Sequence, residues 1–511
     1  MKNTVKFAKS VMIMGTMSSA GKSFVTAGLC RIFHQDGYRT APFKSQNMAL
    51  NSYITKDCLE MGRAQVMQAE AAGILPDVRM NPILLKPTSE KGSQIIVNGK
   101  VFDSMTAKEY YQHKQEFVPV IQDAYESLAQ EYDVIVLEGA GSPAEINLKQ
   151  VDIVNMGMAE ISGSPVILVG DIDRGGVFAS LYGTIALLDE HEKKRIKGMI
   201  INKFRGDPEI LEPGLKMLED LTGIPILGVL PYTELDLDDE DSLSERFFQS
   251  YKNDSENPAF LDIAVIKFPR ISNFTDFKIL ESIENISVRY VSRLQELQNP
   301  DLIILPGTKN TIADLLWMRQ NGLEAEILKA YEKGTVIFGI CGGYQMLGKK
   351  LSDPDQIEQG GEVRGMGLCN RNTIFRKQKR TIQIQGNICD LNADFQNLAG
   401  ITVTGYEIHT GETHGTERAF LRLTNGETDG CFCVSEHAEI FGTYLHGIFD
   451  NQEFTEKFLN DLIQKKHQNQ QIFISDIQAY KELQYNQLAD LLRKHLDMSK
   501  IYQILESGGE S

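Results

Sequence analysis

The segment Val336–Leu347, VIFGICGGYQML, places one cysteine where a buried strand must turn sharply into a helix. Its first five residues form a short apolar run that is typical of a buried parallel strand. The glycines that follow lack the Cβ atoms that would clash in a tight turn. Cys341 then lies at a helix N-terminus, where the helix dipole and the backbone N–H groups favour a thiolate. The segment therefore predicts an α/β sheet with a nucleophilic cysteine at the end of one strand.

A base for this nucleophile is offered far along the chain by His446, at the end of an apolar run in GTYLHGIFD. A cysteine and a histidine that are distant in sequence but convergent in the fold are what nucleophilic acyl transfer requires. Attack by Cys341 would leave an oxyanion beside the Gly342 N–H, which is a ready donor. The alternative is a small buried core cysteine, but the two glycines directly after it disfavour that interpretation. We therefore predict Cys341 as the nucleophile and His446 as its base.

The residues around Cys341 resemble the G-x-C-x-G elbow of the class I (triad-type) glutamine amidotransferases. The resemblance implies that the Gly307 region, in LIILPGTKNT, supplies the second oxyanion-hole amide beside Gly342. Such enzymes often carry a glutamate two residues after the histidine, where this chain has Ile448. The usual third member of the triad is therefore absent from its expected position, and what orients His446 is left open.

A second chemical centre lies near the other end, where the apolar run Val11–Met14 is followed by GTMSSAGKS and then by an amphipathic helical pattern. This strand–loop–helix order is typical of a phosphate-binding loop. Backbone amides would cradle the phosphates, Lys22 would reach the β/γ oxygens, and the Ser23 hydroxyl could ligate Mg²⁺. A glycine-rich surface loop is the alternative, which the Lys-Ser pair disfavours. The loop is one residue longer between its glycines than the standard motif, a spacing similar to that of dethiobiotin synthetase-like ATP-dependent ligases. The predicted ATP-binding residues of the loop are Gly15, Thr16, Gly21, Lys22 and Ser23.

Acidic residues near strand ends are candidate magnesium ligands. Glu138 ends the buried strand in YDVIVLEGAGSPAE, and ligands bind at the carboxyl ends of strands in open α/β sheets. Asp152, in VDIVNMGMAE, is equally compatible with a solvated loop charge. Lys44, in FKSQNMALNS, would on its own be interpreted as a surface lysine. The predicted metal ligands are Ser23, Glu138 and Asp152.

Composition limits the class of partner. Lys and Arg number 52 against 69 Asp and Glu, a net charge of −17 that disfavours non-specific nucleic-acid or anionic-membrane binding. No apolar run reaches membrane-spanning length, and the N-terminus lacks the pattern of a signal peptide. The seven cysteines are scattered and show no zinc-ligand spacing, which predicts free thiols in a reducing cytoplasm. We expect a cytoplasmic enzyme with no nucleic-acid or membrane partner, and a homo-oligomer stays open.

A chain of 511 residues exceeds the size at which a single core stops growing. Apolar strands alternate with amphipathic segments in both halves, which predicts two doubly wound α/β domains. The N-terminal domain would be the P-loop ATPase, and the C-terminal domain would be class I glutamine amidotransferase-like. The expected boundaries are an ATP-binding amide ligase domain at 1–235, an acidic linker at 236–258, an amidotransferase domain at 259–450, and a helical extension at 451–511 that packs on the amidotransferase domain.

The two sites make chemical sense together. Glutamine hydrolysis yields ammonia, which cannot displace oxygen from an unactivated carboxylate. Phosphorylation by ATP converts that oxygen into a leaving group, while Mg²⁺ and Lys22 neutralise the developing charge. The sequence therefore predicts a glutamine-hydrolysing amide ligase that uses ATP and Mg²⁺.

Ten motifs taken together, among them GTMSSAGKS, NKFRGD, GICGGYQMLG and GTYLHGIFD, resemble the cobyric acid synthases over nearly the whole chain. That family keeps the cysteine and histidine but lacks the glutamate, so Ile448 is expected within it. The resemblance implies a corrinoid substrate and L-glutamine, with amidation of the b, d, e and g side-chain carboxylates of adenosylcobyrinic acid a,c-diamide in cobalamin biosynthesis. The predicted ATP-binding set also includes Lys44 and Asn202, which lie in FKSQNMALNS and NKFRGD.

Two alternative functions stay open. A cobyrinic acid a,c-diamide synthase would share the two-domain plan, although SQNMALNS and VNMGMAE favour the cobyric acid enzymes. A P-loop partitioning or scaffold ATPase would use the C-terminal half as an inactive binding module. Intact Cys341 and His446 argue against that second alternative, and a glutaminase assay would separate the two classes.

Overall fold

The computed structural model describes residues 7–88, 92–238, 259–466, 470–474 and 476–508. The chain divides into two compact units. Unit 1 comprises Met1–Ala49, Glu60–Glu240 and Gln478–Ser511, and unit 2 comprises Leu50–Leu59 and Asp241–Ile477. Most of the acidic linker expected at 236–258 lies outside the described residues.

The strands, in chain order, are β1 (Lys9–Gly15), β2 (Thr40–Phe43), β3 (Gln46–Met48), β4 (Ser52–Ile54), β5 (Glu60–Gly62), β6 (Ile83–Pro87), β7 (Gly92–Val97), β8 (Lys100–Thr106), β9 (Val134–Glu138), β10 (Val166–Asp171), β11 (Ile196–Phe204), β12 (Ile226–Pro231), β13 (Leu261–Ile266), β14 (Ile286–Val291), β15 (Leu302–Leu305), β16 (Val336–Ile340), β17 (Lys350–Asp353), β18 (Gly361–Arg364), β19 (Arg371–Ile388), β20 (Thr402–Gly415), β21 (Leu421–Leu423), β22 (Thr428–Asp429), β23 (Cys431–Val434) and β24 (Glu439–Thr443).

The α-helices are α1 (Lys22–Gln35), α2 (Arg63–Ala71), α3 (Ala107–His113), α4 (Val118–Glu131), α5 (Met156–Ser162), α6 (Val177–Leu187), α7 (Glu190–Arg195), α8 (Pro208–Thr222), α9 (Lys278–Ser282), α10 (Leu294–Leu297), α11 (Thr311–Gln320), α12 (Leu323–Glu332), α13 (Gly342–Leu347), α14 (Gln452–Lys465), α15 (Ile477–His495) and α16 (Met498–Ser507). Short 3₁₀ turns occur at Val78–Met80, Lys114–Phe117, Lys149–Val151, Phe274–Phe277, Ala393–Leu398 and Ile448–Asp450.

Unit 1 is built on a parallel sheet of order β12-β11-β10-β1-β9-β2. The residues Val11–Met14 of the inner strand β1 are completely buried, although successive side chains point to opposite faces. Both faces of this sheet are therefore covered, as in a doubly wound α/β domain. A smaller sheet of order β3-β6-β7-β8 belongs to the same unit. The carboxyl ends of β1 and β9 lie side by side and position the predicted ATP site.

Unit 2 is built on a sheet of order β14-β13-β15-β16-β24-β23, which is parallel except for the edge strand β23. β16 is buried along its whole length and pairs with β24, so the two strands that lead to Cys341 and His446 are neighbours. A second sheet of order β18-β17-β19-β21-β22 includes the long β19–β20 hairpin. The two expected α/β folds are therefore confirmed.

The C-terminal helices differ from the expectation that 451–511 packs on the amidotransferase unit. α14 does so, because Phe454 and Phe458 are buried in the unit 2 core. α15 and α16 instead belong to unit 1, where Leu488 and Leu492 are buried against α1. A Cβ at Gly28 of α1 would lie 2.4 Å from Leu492 Cδ2, so this glycine admits the helix. The periodicity of α15 predicts a buried apolar face but does not identify the surface that covers it.

The domain expected at 1–235 is also not continuous, because the segment Leu50–Leu59 belongs to unit 2. Its Ser52 carbonyl accepts hydrogen bonds from Asn273 Nδ2 and from the Tyr406 hydroxyl, both at 3.1 Å. Ile54 packs with Tyr406 and Ile408 of β20. A short segment of the N-terminal half of the chain thus packs against β20 as part of unit 2.

Candidate active sites

The predicted strand-to-helix turn at Cys341 is confirmed. Cys341 is the N-cap of α13 and has φ 50° and ψ −107°, outside the ordinary regions for a non-glycine residue. Such strained backbone costs about 1–3 kcal/mol and occurs preferentially at functional sites. A Cβ at Gly343 would lie 1.9 Å from the Leu305 carbonyl oxygen, so glycine is required for the turn to pack on β15. The elbow therefore holds the Cys341 sulfur at the carboxyl edge of the sheet.

His446 lies next to this sulfur in a fixed orientation. Its imidazole interacts electrostatically with the Cys341 side chain, and its Nδ1 is 2.7 Å from Asp276 Oδ2. The Gly447 N–H donates to the other Asp276 oxygen at 3.1 Å. The Tyr406 ring stacks on the imidazole at 5.4 Å between centroids. Cys341, His446 and Asp276 thus have the arrangement of the thiol, imidazole and carboxylate of a catalytic triad.

The electrostatics of the triad follow from the contact between His446 and Asp276. Burial by itself would lower the pKa of His446. The negative charge of Asp276 and its hydrogen bond, together with the Cys341 side chain, outweigh that penalty and raise the pKa of His446 to about 10. The imidazole is therefore protonated at neutral pH. An imidazolium beside Cys341 stabilises negative charge on that sulfur, which is the form that attacks a carbonyl carbon.

Asp276 is a candidate functional residue that sequence reasoning did not find. The position where a glutamate is usual holds Ile448, which is completely buried. The acid comes instead from the 3₁₀ turn Phe274–Phe277, 170 residues before the histidine. The chain has 69 acidic residues, and no local motif distinguishes this one. The vacant glutamate position indicates only that some other acid must orient His446.

Of the two predicted oxyanion glycines, Gly307 lies in the loop after β15 and Gly342 is the first residue of α13. A Cβ at Gly307 would be 2.9 Å from His446 Cε1. A Cβ at Gly342 would be 2.7 Å from Thr308 Cγ2 and 3.2 Å from the Thr308 nitrogen. The Gly343 N–H is engaged with the Pro306 carbonyl at 3.1 Å. The arrangement leaves the amides of Gly342 and of the Gly307–Thr308 segment as the candidates for oxyanion stabilisation.

In unit 1, the predicted phosphate-binding loop joins β1 to α1. Lys22 Nζ donates to the carbonyl oxygens of Met17 at 3.0 Å and of Gly141 at 3.3 Å, and thus bridges two loops. Among the described residues, the buried Thr16 hydroxyl has no hydrogen-bond partner. An unpaired buried hydroxyl is costly unless a ligand satisfies it. The loop therefore fits a bound phosphate group.

Asn202 supports the same loop from the end of β11. Its Nδ2 donates to the Ala20 carbonyl oxygen at 3.0 Å. Gly21 has φ +101°, and a Cβ there would lie 2.0 Å from this nitrogen. Glycine is thus needed both for the conformation and for the close approach of Asn202. This contact places the predicted ATP-binding residue at the loop and gives it a positioning role.

Glu138, at the carboxyl end of β9, accepts hydrogen bonds from three polar side chains. Its Oε1 accepts from Ser23 Oγ and from Lys44 Nζ, each at 2.9 Å, and its Oε2 accepts from Gln68 Nε2. Lys44 is only 2 % exposed and Glu138 1 %, so the surface interpretation of Lys44 is wrong. Ser23 and Glu138 provide two oxygen donors beside the phosphate loop, which is the ligand chemistry that Mg²⁺ prefers.

Asp152 is engaged elsewhere. Its Oδ1 accepts from the backbone N–H groups of Val154 and Asn155, both at 2.9 Å, and its Oδ2 accepts from that of Gly157 at 3.1 Å. These bonds order the turn that leads into α5. These three bonds already use most of the acceptor sites of the carboxylate, and metal binding by Asp152 stays a prediction.

The fold and the two sites define a class of protein, a P-loop nucleotide-binding domain joined to a triad-type glutamine amidotransferase. Comparison with protein families agrees with this class. The family described as CobQ/CobB/MinD/ParA nucleotide binding domain matches residues 11–243. The family described as CobB/CobQ-like glutamine amidotransferase domain matches residues 262–454. Within the described residues, no helix is long and apolar enough to cross a membrane.

Three relatives align with nearly the full chain, and each is named cobyric acid synthase. The protein from Ruminiclostridium cellulolyticum is 57% identical and covers 99% of this chain and 98% of its own length. The protein from Lachnoclostridium phytofermentans is 55% identical, with 98% and 100% covered. The protein from Alkaliphilus metalliredigens is 53% identical, with 97% and 99% covered. The chain belongs to the cobyric acid synthase family and is a glutamine-dependent ligase.

Proposed function

We propose that this chain amidates the b, d, e and g side-chain carboxylates of adenosylcobyrinic acid a,c-diamide, with glutamine as nitrogen source and ATP as activator. The geometry of Cys341, His446 and Asp276 is the observation that carries the proposal. Its close contacts support an intact glutaminase rather than an inactive binding module. The full-length relatives support the corrinoid as the substrate class.

In the amidotransferase unit, the Cys341 sulfur attacks the side-chain amide carbon of glutamine. His446 gives its proton to the departing nitrogen, which leaves as ammonia, and Asp276 stabilises His446 whenever it is an imidazolium. Gly342 and the Gly307–Thr308 amides stabilise the oxyanion of each tetrahedral intermediate. Water then attacks the thioester, with His446 accepting its proton, and glutamate is released with the thiolate regenerated.

In the nucleotide-binding unit, a corrinoid carboxylate oxygen attacks the γ-phosphorus of ATP, so that ADP leaves and an acyl phosphate forms. Ammonia then attacks the acyl carbon, the carbon–oxygen bond to phosphate breaks, and the amide and inorganic phosphate result. Lys22 and the loop amides stabilise the charge on the transferring phosphoryl group. Each amidation consumes one glutamine and one ATP, and the full sequence consumes four of each.

Mg²⁺ is part of the proposal. Ser23 and Glu138 would hold the ion, which would neutralise charge on the nucleotide phosphates. Glu138→Gln should raise the Mg²⁺ concentration that half-saturates the synthetase reaction by about tenfold or more. Glu145→Gln, in the exposed part of the following loop, is the matched control and should leave that concentration unchanged. Equal Mg²⁺ dependence in both variants would remove Glu138 from the metal site.

The decisive experiment supplies a panel of corrinoid acids with ¹⁵N-amide glutamine, ATP and Mg²⁺, and reads product mass and ¹⁵N position. Adenosylcobyrinic acid a,c-diamide should take up four labels, at b, d, e and g. Labelling at a and c of cobyrinic acid would support the a,c-diamide synthase instead. ATP hydrolysis with no glutaminase activity and no amidated corrinoid would support a partitioning or scaffold ATPase.

A further inference from the structure

Three cysteines of unit 2 come together although they are far apart in the sequence. Cys369 Sγ lies 3.3 Å from Cys433 Sγ and 3.7 Å from Cys431 Sγ. The three sulfur atoms all lie within 4.8 Å of one another. The sequence gives a C-x-C pair and a single cysteine more than sixty positions earlier, which matches no familiar zinc spacing. The cluster, here called the thiol cluster, is thus created by the tertiary fold.

The backbone explains why the thiols converge. Cys431 and Cys433 are at positions i and i+2 of β23, so their side chains point to the same face of the strand. Cys369 lies in the loop before β19, and its N–H donates to the carbonyl oxygen of Leu347, the last residue of α13. Cys369 and Cys431 are buried, whereas Cys433 is partly exposed. The thiol cluster therefore lies near the surface with one accessible sulfur.

We propose that the thiol cluster is a binding site for one thiophilic cation of the zinc class, held by Cys369, Cys431 and Cys433. Zn–thiolate bonds are about 2.3 Å long, so the sulfur atoms around a tetrahedral ion are about 3.8 Å apart. The separations of Cys369 Sγ from the other two sulfur atoms, 3.3 and 3.7 Å, are close to that value. Thiolate ligands select Zn²⁺ or Cu⁺ over Mg²⁺, which prefers oxygen. This site is separate from the magnesium ligands of unit 1.

The charges around the thiol cluster are compatible with a bound Zn²⁺ ion. Three thiolates and one Zn²⁺ carry a net charge of −1. The buried Arg371 guanidinium interacts electrostatically with Cys431 and Cys433 and offsets part of that charge, although it also pairs with Glu417 at 3.4 Å. The partly exposed Cys433 leaves a side from which water completes the fourth position. Release of one proton from each thiol on binding makes the affinity fall at low pH.

The location indicates a stabilising role for the ion. Cys369 is bonded to the end of α13, whose N-cap is Cys341. Cys431 pairs with Gly442 of β24, and a Cβ at that glycine would lie 3.1 Å from the Cys431 sulfur. An ion at the thiol cluster would tie the loop before β19 to the edge of the main sheet. Both elements next to it lead to triad residues.

The test uses the full chain, reduced and freed of metal under anaerobic conditions. Co²⁺ and Zn²⁺ are the probes. Co²⁺ should produce thiolate-to-metal charge-transfer absorption that saturates at one equivalent, and Zn²⁺ should displace it. Cys433→Ser removes one of the three thiolates, so it should reduce the absorption per bound Co²⁺ and weaken Zn²⁺ binding by at least about a hundredfold. Loss of a residue that only supports a ligand typically costs about 10- to 100-fold. Cys389→Ser, a matched unit 2 variant outside the thiol cluster, should bind like the unaltered chain.

Zn²⁺ should also raise the melting temperature of the unaltered chain and of Cys389→Ser, but not that of Cys433→Ser. Because Cys433 is partly exposed, the Cys433→Ser variant should still fold, and its melting temperature can be compared with that of the unaltered chain. Absence of charge-transfer absorption in the fully reduced chain would overturn the proposal. So would equal binding by the Cys433→Ser and Cys389→Ser variants. A disulfide between Cys369 and Cys433, with no ion taken up, would replace the metal site by a redox pair.

Discussion

The two candidate active sites differ in the partners that their reactive side chains contact. In the amidotransferase unit, Asp276, His446 and Cys341 contact one another in the order that proton transfer needs. In the nucleotide-binding unit, Lys22 donates to backbone carbonyl oxygens and Lys44 to Glu138. In the first site the side chains that move protons contact one another, whereas in the second site the two lysines contact protein oxygen atoms.

This difference follows from the chemistry of the two ligands. The reacting group of glutamine is a neutral side-chain amide, which has no charge to orient the catalytic side chains, so the protein must position them itself. ATP brings several negative charges, which can draw Lys22 away from neutral carbonyl oxygens. Variants of the two sites should therefore differ in whether the lost activity depends on glutamine or ammonium as the nitrogen source.

The largest expected effect is that of Cys341→Ala. Removal of the nucleophile should reduce glutamine-dependent amidation by at least about a thousandfold, because no thioester can form. Synthesis from ammonium salts should persist, since only the source of ammonia is lost. Both rates are measured by product mass spectrometry, with Cys389→Ala as the control. Equal loss with both nitrogen sources in a folded variant would show that the two sites do not divide the reaction in this way.

Lys22→Ala should produce the opposite pattern. Loss of the charge on the developing phosphoryl group should slow synthesis about a hundredfold or more with either nitrogen source. Glutaminase activity without ATP should change little. Lys108→Ala, on the exposed face of α3, is the control for loss of a lysine. Near-normal synthesis by Lys22→Ala would make the Gly15–Ser23 loop a structural feature.

Asp276→Asn tests whether Asp276 orients His446 and raises its pKa, a role that no sequence motif indicates. Asp276 helps to hold the pKa of His446 at about 10, so His446 is protonated below that pH. Loss of the negative charge should lower the pKa, and the basic limb of the glutaminase profile, which requires the imidazolium, should move to lower pH. The rate at neutral pH should fall roughly tenfold to a hundredfold.

The measurement is the pH dependence of glutamine turnover without a corrinoid. Asp355→Asn, an exposed substitution in the same unit, should keep the unaltered profile. Ammonium-dependent synthesis should be unaffected by Asp276→Asn. A reduced rate with an unmoved basic limb would mean that Asp276 only supports the fold around Phe274–Phe277.

What the sequence could predict depends on the distance over which each feature is encoded. The Cys341 elbow and the Gly15–Ser23 loop are local, because a strand, glycines and a helix follow one another within a few residues. Asp276 and the thiol cluster are assembled by tertiary packing, and neither has a neighbouring motif. Lys44 could be suspected from its motif, but its burial against Glu138 depends on where β2 and β9 lie in the sheet. The C-terminal helices show the same limit, because amphipathic periodicity predicts a buried face without identifying its partner.

Leu492→Ala tests that last assignment and should have the smallest effect on catalysis. Leu492 is completely buried in the unit 1 core beside Gly28 of α1, so its truncation should cost about 2–5 kcal/mol of stability. Leu483→Ala, on the same helix but 51 % exposed, is the matched control and should cost less than about 0.5 kcal/mol. Calorimetry should show a lower melting temperature for the transition that ATP raises, because ligand binding marks the nucleotide-binding unit. Ammonia release from glutamine should stay near normal below that transition. If Leu492→Ala instead lowered a transition that ATP leaves unchanged, α15 would stabilise the amidotransferase unit, and the assignment of the C-terminal helices to unit 1 would be wrong.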